Sequence, residues 1–596
     1  MKTQFKVPEN RPFFGKFWPQ GVPHQLKYDW NMTLRDILLK SSQKWPNYPA
    51  MWFLDGWINY RQFNEYVDRF ASSLARMGIK KGDVVALHLP NCPQYVIAYY
   101  AVVSLGAIVT GINPTYKPLE ILHQLKITQA KTIVVLDVLF TNFVQPLEDR
   151  WKFDNIIYTN LLDLATGFSK FKKWMAIASK KVPKSRINHS KGKSFLDCLK
   201  EKINIPKVKI NASEDTAVLM MTGGTTGVPK AAILTHQNVV ANAFQCVLTL
   251  KYQKNPNREK LLGEGTGNIG ILPLFHSFAM TTVMNSSVLL GAWMVLFPKP
   301  LPTEELLKTL EKLPDINGFF YIGAEILFQR IAEVDDDILK NYNIKNKLQI
   351  CISGAGPLHE YVRIPFENKT GAKIREGYGL AEASPVVSCN NFFGESEPGT
   401  VGTPFPGTDW AIFPIEDFEK GPITIFGKEG TGEICVSGPQ VMKGYLNEKE
   451  QSDEVIKEWD NRKWLRTGDI GYMDEYGRII IRDRKKQLIK MAGRSIFPKE
   501  VETLLGNHPA VIEVAVAGIP DKKTGEAVKA WVALKPNMMG KITEKELIEW
   551  AKANITYWKV PKYLEIIDEI PKNAVGKVMR RQLQETDPLF QKRKNN

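Results

Sequence analysis

Apolar and polar positions follow two different rhythms over about the first 210 residues of the chain. In 34–44, 60–77 and 118–126 apolar residues recur at helical spacing, which predicts amphipathic helices. The runs 84–89 and 132–136 are short and rich in apolar and β-branched residues, which predicts strands. Because helices and strands alternate, we predict an α/β sheet for this part of the chain.

A second alternating block extends from residue 217 to about residue 385. Its strand candidates are 217–221, 269–272, 292–297, 318–322 and 348–353, which end at polar or glycine-rich turns. In open α/β sheets, ligands bind at the carboxyl ends of the strands. We therefore expect a binding site where these strands end.

The pattern changes between 399 and 481, where short apolar runs are broken by Gly, Pro and Asp turns. This predicts a small β-barrel or sandwich layer, with 478–481 as its last strand. Five charged residues follow at 482–486, and because such runs are rarely buried we interpret them as a solvent-exposed hinge. We predict a large N-terminal domain over 1–482, made of two α/β subdomains and a β-barrel-like layer, a hinge over 483–486, and a small mobile α+β domain over 487–596.

Positive charge is concentrated in one segment of this 596-residue chain, whose net charge is +16. Residues 167–193 hold nine Lys and Arg and no acid. Two interpretations stay open: a helix that lies on a membrane surface, or a surface helix packed on its own domain. No recognition motif for nucleic acid accompanies the charge, so we expect no nucleic-acid partner. On a helix, one face would carry Phe168, Phe171, Trp174, Met175, Ala178 and Val182.

Composition and cysteine spacing favour a folded protein of a reducing compartment. The chain is 44% hydrophobic and 24% charged, and its six cysteines form no C-x-x-C pair and have no histidine at metal spacing. We therefore expect neither a disulfide framework nor a zinc site. Residues 1–10 lack the apolar core of a secretory signal. The most apolar window, 96–109, is shorter than the roughly 20 residues of a membrane span, and we interpret it as a core helix that continues into a buried strand.

The stretch 222–230, Thr-Gly-Gly-Thr-Thr-Gly-Val-Pro-Lys, has the composition of a phosphate-binding loop. Glycines let backbone N–H groups approach an anion, while threonine hydroxyls and a lysine add donors and positive charge. It is not a Walker loop, because Lys230 follows Pro229 and no Ser or Thr comes after the lysine. The candidate phosphate ligands are Thr222, Gly223, Gly224, Thr225, Thr226, Gly227 and Lys230.

Two further glycine-bearing stretches have features of a nucleotide site. Gly354, Ala355 and Gly356 follow an apolar strand and have no bulk to keep a flat purine away from the backbone. Tyr378 could stack on a base, and Glu382 has a carboxylate suited to hold Mg²⁺ near phosphates. The same stretch adds Glu376, Gly377 and Gly379 as candidates.

Charged residues in the last third of the chain are further candidates for a nucleotide site. Asp469 can accept hydrogen bonds from both hydroxyls of a ribose, and Arg484, fifteen residues later, suits the sugar and its phosphate. Lys577 lies on the glycine-bearing loop 571–580. Taken alone, most lysines at such positions are only solvated.

In this order and spacing, the stretches resemble the adenylate-forming superfamily of acyl-CoA synthetases, firefly luciferase and nonribosomal-peptide adenylation domains. The chain looks most like the fatty acyl-CoA ligases, which share the Thr-Gly-Gly-Thr-Thr-Gly loop and the Tyr-Gly-Leu-x-Glu-Ala-Ser-Pro motif around Glu382. The resemblance covers nearly the whole chain. It implies that an acid reacts with ATP, with Mg²⁺ bound, to give an acyl-adenylate and then, with coenzyme A, an acyl-CoA, releasing pyrophosphate and AMP.

The resemblance also implies roles for single residues, with Lys577, Glu382, Thr222 and His276 as the catalytic set. Thr222, Thr225, Thr226 and Lys230 would bind the β- and γ-phosphates, Gly354, Ala355, Gly356 and Tyr378 the adenine, Glu382 and Thr222 the Mg²⁺, and Asp469 the ribose. Arg484 would reach the ribose or phosphate, and Lys486 would be the hinge residue. Lys577 would bridge the carboxylate and the α-phosphate, His276 would line the acyl pocket, and Lys490 and Gly493 would serve thioester formation.

Three positions depart from the family pattern. Ala381 stands where most relatives carry Thr or Ser, which removes a hydroxyl near the α-phosphate. Ala231 replaces the usual glycine after the loop lysine. Gly323 replaces a common proline, so the family's pocket shape does not carry over directly.

The expected substrate is a medium- or long-chain fatty acid, because small residues after His276 leave room for a chain. The main alternative is a CoA ligase for a short, hydroxylated or aryl acid, such as a hydroxybutyrate. A non-catalytic nucleotide-binding protein is a weaker alternative, against which Lys577, Glu382 and Asp469 argue. We expect a cytoplasmic protein, a homodimer, with peripheral contact to the inner face of the membrane through 167–193.

Overall fold

The computed structural model describes residues 5–222, 229–253, 263–314, 317–342, 344, 347–356, 358–491, 494–521, 523–573 and 576–591, without the side chains of 486, 494 and 495. The chain divides into two compact units, Met1–Asp409 with Val436–Leu465, and Trp410–Cys435 with Arg466–Asn596. The domain boundary and the hinge over 483–486 stay a prediction, and the hinge residues lie within the second unit.

The first unit contains two sheets, in which helices and strands alternate along the chain. One has seven strands, in the order β7-β6-β5-β3-β4-β8-β9, and the other has nine, in the order β16-β15-β14-β13-β12-β10-β11-β1-β2. This arrangement confirms the predicted α/β fold. The strands are β1 Pro49–Phe53, β2 Gly56–Asn59, β3 Val84–His88, β4 Ile108–Gly111, β5 Thr132–Leu136, β6 Asn155–Thr159, β7 Gly192–Ser194, β8 Thr216–Thr222, β9 Lys230–Thr235, β10 Gly267–Gly270, β11 Trp293–Leu296, β12 Phe319–Gly323, β13 Leu348–Ser353, β14 Ile374–Gly379, β15 Val386–Cys389 and β16 Thr403–Pro404.

The helices of the first unit cover these sheets, and several begin at a side-chain cap. Thr33 and Asp36 form a capping box at α1, and Thr235 and Asn238 form one at α8. The helices are α1 Leu34–Lys44, α2 Tyr60–Arg76, α3 Pro93–Ser104, α4 Pro118–Thr128, α5 Asp137–Leu139, α6 Lys170–Ala178, α7 Phe195–Cys198, α8 His236–Tyr252, α9 Ser277–Ala279, α10 Ser286–Leu290, α11 Thr303–Lys312, α12 Glu325–Ala332, α13 Asp336–Leu339, α14 Glu360–Thr370 and α15 Lys449–Val455.

The apolar window 96–109 forms a buried helix, α3, followed by strand β4. The prediction of a core helix running into a buried strand is therefore confirmed. Within the described ranges, no helix combines the length and the apolar character needed to cross a bilayer.

Short strands fill the region predicted as a β layer. β17 Asp409–Phe413, β18 Gly432–Ser437 and β20 Arg462–Met473 contribute residues to both units, while β19 Ile456–Trp459 pairs with the first part of β20 in the first unit. In the second unit, β21 Ile479–Arg484 pairs with the later part of β20, and Asp469 lies opposite Arg484.

The rest of the second unit is a sheet of mixed strands with helices packed on it, as the α+β prediction for 487–596 describes. A hydrophobic core forms around Val501, Val516 and Leu547. The strands are β22 Ile489–Met491, β23 Arg494–Ile496, β24 Val511–Asp521, β25 Gly525–Leu534 and β26 Tyr563–Ile566, and the helices are α16 Pro498–Gly506, α17 Glu544–Asn554, α18 Arg580–Thr586 and α19 Pro588–Gln591.

The charge cluster 482–486 differs from its prediction. The last strand of the layer was expected to end at Ile481, but β21 continues to Arg484. Asp483 is buried, with 5% of its surface exposed, so full solvent exposure of the cluster is wrong. Its carboxylate accepts hydrogen bonds from the backbone N–H groups of Arg484 and Lys499, which offsets part of the cost of burial.

The basic segment 167–193 forms the short helix α6 after Ser169, whose hydroxyl caps the helix. None of the residues of α6 is buried. The side chains of Phe171, Trp174 and Met175 are 67%, 63% and 50% exposed. These three side chains of the predicted apolar face are therefore not packed on the domain, while Phe168 and Val182 of the same face are half-buried.

All six cysteines are free and buried. Burial raises the pKa of Cys92 and that of Cys246 to about 12, and it raises the pKa values of the other four as well. The thiols are therefore protonated at neutral pH.

Candidate active site

The first unit contains a cavity next to the nine-stranded sheet, with about 900 Å³ of empty space when the open solvent at its entrance is included. Alternate residues of β12 and β13 face it, as expected for neighbours on one face of a sheet. Most of its wall is apolar, so it suits a ligand with a hydrocarbon body. The large apolar residues of the wall are Leu250, Leu290, Phe320, Ile322, Ile350, Ile352, Phe392 and Phe405.

The structure brings together, at one end of this cavity, several residues that the sequence marked. β12, β13 and β14 are parallel, so their carboxyl ends meet at one edge of the sheet. The candidate residues that line the cavity are His276, Gly354, Ala355, Gly377, Tyr378 and Gly379. A cavity therefore lies at the strand ends, where the binding site was expected.

The turn after β13 lies close to Phe278. A Cβ added at Gly354 would come within 3.0 Å of the Phe278 ring, so this position has room only for glycine unless the ring moves. Ala355 has φ of +70°, a left-handed conformation that alanine adopts at a cost of about 1 kcal/mol or more. Gly356 is open to added bulk, because a Cβ there would meet no atom within 4 Å. The turn therefore exposes backbone at the cavity end, as the predicted purine shelf requires.

Glu376 and Tyr378 sit on β14. The Glu376 carboxylate accepts a hydrogen bond from the backbone N–H of Gly399 at 2.8 Å. Tyr378 is 9% exposed, and a Cβ at neighbouring Gly379 would clash with the Pro385 carbonyl at 2.2 Å. Tyr378 is thus held at the cavity wall by tightly packed backbone.

His276 precedes the helix α9 and lines the cavity. Its Nδ1 accepts a hydrogen bond from the backbone N–H of Phe278 at 3.3 Å. This bond orients the imidazole ring at the end of the cavity where the candidate residues gather.

Glu382 is tied to the phosphate-loop lysine through a tyrosine. The Tyr445 hydroxyl donates a hydrogen bond to Glu382 Oε1 at 2.9 Å, and Lys230 Nζ lies 5.2 Å from the centre of the Tyr445 ring. Burial, with the nearby Glu382 charge adding to it, raises the pKa of Tyr445, so the phenol keeps the proton that it donates. Sequence reasoning missed Tyr445, because its contact joins positions 63 residues apart.

The ends of the phosphate loop are defined by a strand pair. Thr222 ends β8 and Lys230 begins β9, and the two are partners in the antiparallel ladder. The loop is thus anchored on a two-stranded stem. The predicted ligands Gly223, Gly224, Thr225, Thr226 and Gly227 lie outside the described residues.

The described residues form no group of three or more His, Cys, Asp or Glu side chains that could hold a metal ion. Mg²⁺ is commonly bound through one or two carboxylates together with substrate phosphates. The single carboxylate of Glu382, oriented by Tyr445, fits that mode, and Thr222 remains a predicted second ligand.

In the second unit, Asp469 and Arg484 form an ion pair across β20 and β21. Arg484 Nε lies 2.9 Å from Asp469 Oδ1. The Asp469 backbone N–H donates to Thr467 Oγ1, and the Thr467 hydroxyl donates to the Ile434 carbonyl. The two predicted ribose and phosphate ligands are therefore brought together.

Lys577 lies on a tight loop between two bridged segments, in which Lys572 pairs with Val578. Asn573 and Lys577 bond to each other through backbone N–H and carbonyl at 2.9 Å, and the Lys577 N–H also reaches Asn573 Oδ1 at 2.9 Å. Gly576 has φ of +80°, which favours glycine at this turn. The loop therefore holds the Lys577 backbone in a defined position.

The remaining candidates of the second unit are Lys486, Lys490 and Gly493, of which Lys490 lies on β22. Lys490 is exposed, and its Nζ is 3.8 Å from Glu416 Oε1. Lys486 belongs to the turn Lys485–Gln487, but its side chain is outside the description, and Gly493 lies outside the described residues.

The three departures from the family pattern have clear places in the fold. Ala381 lines the cavity, and Ala231 is buried in β9. Gly323 ends β12, where a Cβ would lie 2.6 Å from Leu327 Cδ1. Leu327 thus takes the space that a larger residue would need.

Two family models match the chain. One, described as AMP-binding enzyme, covers residues 38–446, and one described as AMP-binding enzyme C-terminal domain covers 500–577. The chain is 38% identical over 584 residues to a long-chain-fatty-acid–CoA ligase of Bacillus subtilis, covering 97% of this chain and 98% of the relative.

Solved structures resemble the chain over most of its length. A long-chain-fatty-acid-CoA ligase (FadD1) from Archaeoglobus fulgidus matches with a TM-score of 0.65 and 26% identity, over 93% of this chain and 100% of that one. ATP-bound MatB from Rhodopseudomonas palustris matches with a TM-score of 0.73 over 93% and 99%. At 23% identity, MatB supports the fold alone.

Proposed function

The chain belongs to the family of AMP-binding enzymes, and we propose that it activates a medium- or long-chain fatty acid with ATP and transfers the acyl group to coenzyme A. The products are an acyl-CoA, AMP and pyrophosphate. The observation that carries the choice of acid is the largely apolar wall of the cavity, which His276 and Tyr378 also line.

The cavity favours an aliphatic chain over a small acid. A short polar acid would leave most of the wall formed by Ile322, Ile350 and Ile352 without contact. A long chain would fill it and bury apolar surface.

The first half-reaction joins the carboxylate to the α-phosphate of ATP and expels pyrophosphate. Negative charge builds up around the phosphorus, and cationic donors held in a closed site stabilise it. We assign this role to Lys577, and phosphate binding to Lys230 and Thr222. Tyr378 and the turn around Gly354 hold the adenine. Asp469, oriented by Arg484, holds the ribose.

Glu382 and Thr222 would hold Mg²⁺, which when bound would supply positive charge next to the phosphates. Tyr445 fixes the orientation of the Glu382 carboxylate through its hydrogen bond.

In the second half-reaction the thiol of coenzyme A attacks the carbonyl of the acyl-adenylate and AMP leaves. We assign the surface around Lys490 and Gly493 to this step. The same carboxyl group takes part in both steps: its oxygen bonds to the α-phosphorus in the first, and its carbon is attacked by the thiol in the second. We therefore propose that the two sets of residues act in turn, with the change centred on Lys486.

A panel of acids from acetate to octadecanoate, with hydroxylated and aryl members, tests the choice of substrate. The measurement is AMP formation with and without coenzyme A. We expect the highest kcat/KM for medium or long aliphatic acids. Highest activity with a short or aryl acid would contradict the proposal, and absence of AMP with every acid would contradict ligase activity itself.

We further propose that helix α6 contacts the anionic inner face of the cytoplasmic membrane. Phe171, Trp174 and Met175 are exposed and adjacent, with Phe171 and Trp174 stacked at 6.0 Å between ring centres. Exposed aromatics beside lysines suit the boundary between lipid tails and anionic headgroups. The contact would place the enzyme where fatty acids partition.

Sedimentation with vesicles tests this contact. We expect binding to phosphatidylglycerol vesicles that weakens with salt and is lost in Phe171→Ser/Trp174→Ser. Tyr557→Ser, which changes an aromatic that is 74% exposed elsewhere, is the matched control. Equal sedimentation of all three proteins would contradict the contact. A cytoplasmic location and a homodimer remain predictions, to be measured by fractionation and light scattering.

A further inference from the structure

The cavity wall carries one polar patch among its apolar side chains. It consists of Cys246, Asn268, Ser286 and Ser287, all of them buried and all lining the cavity. Asn268 Nδ2 donates hydrogen bonds to Ser287 Oγ at 3.1 Å and to the carbonyl of Thr282 at 2.9 Å. These two acceptors fix the orientation of the amide, so its oxygen points away from them.

Two atoms of the patch have hydrogen-bonding capacity that the described residues leave unused. Asn268 Oδ1, on a side chain that is 1% exposed, accepts no hydrogen bond from them. Among the described residues, the Ser286 hydroxyl has only the Cys246 sulfur, a weak acceptor, beside it to receive its proton. Buried acceptors and donors are nearly always paired in native proteins, so a bound group is expected to complete them.

The patch lies deep in the cavity. Asn268 is the ladder partner of Phe320, which is the partner of Ile350. Ile350 precedes the adenine turn at Gly354 by four residues, a depth of roughly 13 Å at about 3.3 Å per residue of strand. At roughly 1.3 Å per carbon of an extended chain, this depth corresponds to about ten carbons from the carboxylate.

We propose that the patch of Asn268 and Ser286 binds a hydroxyl group carried partway along the acyl chain, so that hydroxylated long-chain acids are preferred substrates. A hydroxyl donates one hydrogen bond, which Asn268 Oδ1 accepts, and accepts another, which the Ser286 O–H donates. A plain methylene at this depth would leave both atoms unpaired. The inference rests on the proposed function and narrows its substrate class.

The test compares hexadecanoic acid with isomers that carry one hydroxyl at successive carbons. In the wild type we expect a kcat/KM about tenfold or more above that of hexadecanoic acid for isomers hydroxylated near the tenth carbon, and no gain for hydroxyls near either end. Asn268→Leu and, separately, Ser286→Ala should lower this ratio about tenfold. Ser286→Ala removes a single oxygen atom, so this variant still tests the inference if Asn268→Leu fails to fold.

Ser388→Ala is the matched control, because Ser388 also lines the cavity but its hydroxyl already donates to the carbonyl of Val401 at 2.8 Å. This variant should keep the hydroxyl preference. A wild-type ratio of one or less for every isomer would overturn the inference and assign the patch to a buried water. A ratio that Asn268→Leu and Ser286→Ala leave unchanged would also overturn it. In either of these cases, activity on hexadecanoic acid would still support the proposed fatty acyl-CoA ligase function.

Discussion

The candidate residues of the two units are held in place by different means. In the first unit the cavity is shaped by packing: tightly fitted backbone at Gly354 and Gly379 and an apolar wall from alternate strand residues. In the second unit the candidates are charged residues held by hydrogen bonds, as in the pair of Asp469 with Arg484. From this difference we expect that packing selects the acid and that individually oriented charges perform the chemistry. Changes in the second unit should therefore affect rate most, and changes in the first should affect selectivity.

Replacing Lys577 has the largest expected effect. Lys577→Ala should lower acid-dependent pyrophosphate exchange by about 100- to 1,000-fold, the loss typical when one transition-state donor is removed. Thioester formation from supplied acyl-adenylate should persist. Lys572→Ala, on the same loop and paired with Glu513 at 2.8 Å, is the control. Equal loss of both half-reactions in Lys577→Ala would contradict the proposal that Lys577 serves only the first half-reaction.

Asp469→Ala is expected to come next. Loss of charged hydrogen bonds to the ribose should raise the KM for ATP about 10- to 100-fold, from roughly 1.5–3 kcal/mol per bond, with the KM for the acid little changed. Asp417→Ala changes an exposed carboxylate of the same unit and should leave the KM for ATP unchanged. A lower melting temperature with an unaltered KM would show that the pair with Arg484 is structural only.

A bulky residue at the deep end of the cavity tests the selectivity half of the comparison. Ile350→Trp should lower kcat/KM for hexadecanoic acid about 10- to 30-fold relative to octanoic acid, because the longer chain loses its space. Cys351→Val is the control, since that side chain points to the opposite face of β13. The same chain-length profile in Ile350→Trp and wild type would place the acyl chain elsewhere.

The smallest expected effect is that of Tyr445→Phe, which removes one hydrogen bond from Glu382. We expect the Mg²⁺ concentration for half-maximal rate to rise about threefold to tenfold, with little change in kcat at saturating Mg²⁺. Tyr445→Trp, which keeps a ring beside Lys230, should show the same shift if the hydroxyl is responsible. An unchanged Mg²⁺ dependence would limit Tyr445 to packing.

Local sequence signals predicted the elements whose ends are set locally. The predicted ranges 34–44, 132–136 and 348–353 match α1, β5 and β13 to the residue. For α1 the reason is visible, because the Thr33 hydroxyl accepts the Asp36 N–H and fixes where the helix begins. Motif composition marked Gly354 and Tyr378, and the family resemblance marked His276; the structure places all three on one cavity.

Features that depend on distant partners escaped the same reasoning. β21 runs past Ile481 because Arg484 has Asp469 as its ladder partner and Asp483 has backbone donors, neither of which a local charge count reveals. Asn268 reads as an ordinary strand residue until its neighbours Ser287 and Thr282 are known. In each case a long-range contact decides the role of the residue.

The buried cysteines have a practical consequence for an enzyme that handles a thiol. Mixed disulfides form when a thiolate and a second sulfur meet in solution, and the reaction requires access. Because every protein sulfhydryl here is enclosed and protonated, free coenzyme A should not become attached to the polypeptide during air oxidation. Purified material stored without reductant should therefore keep its mass in an intact-protein spectrum even with the coenzyme in excess.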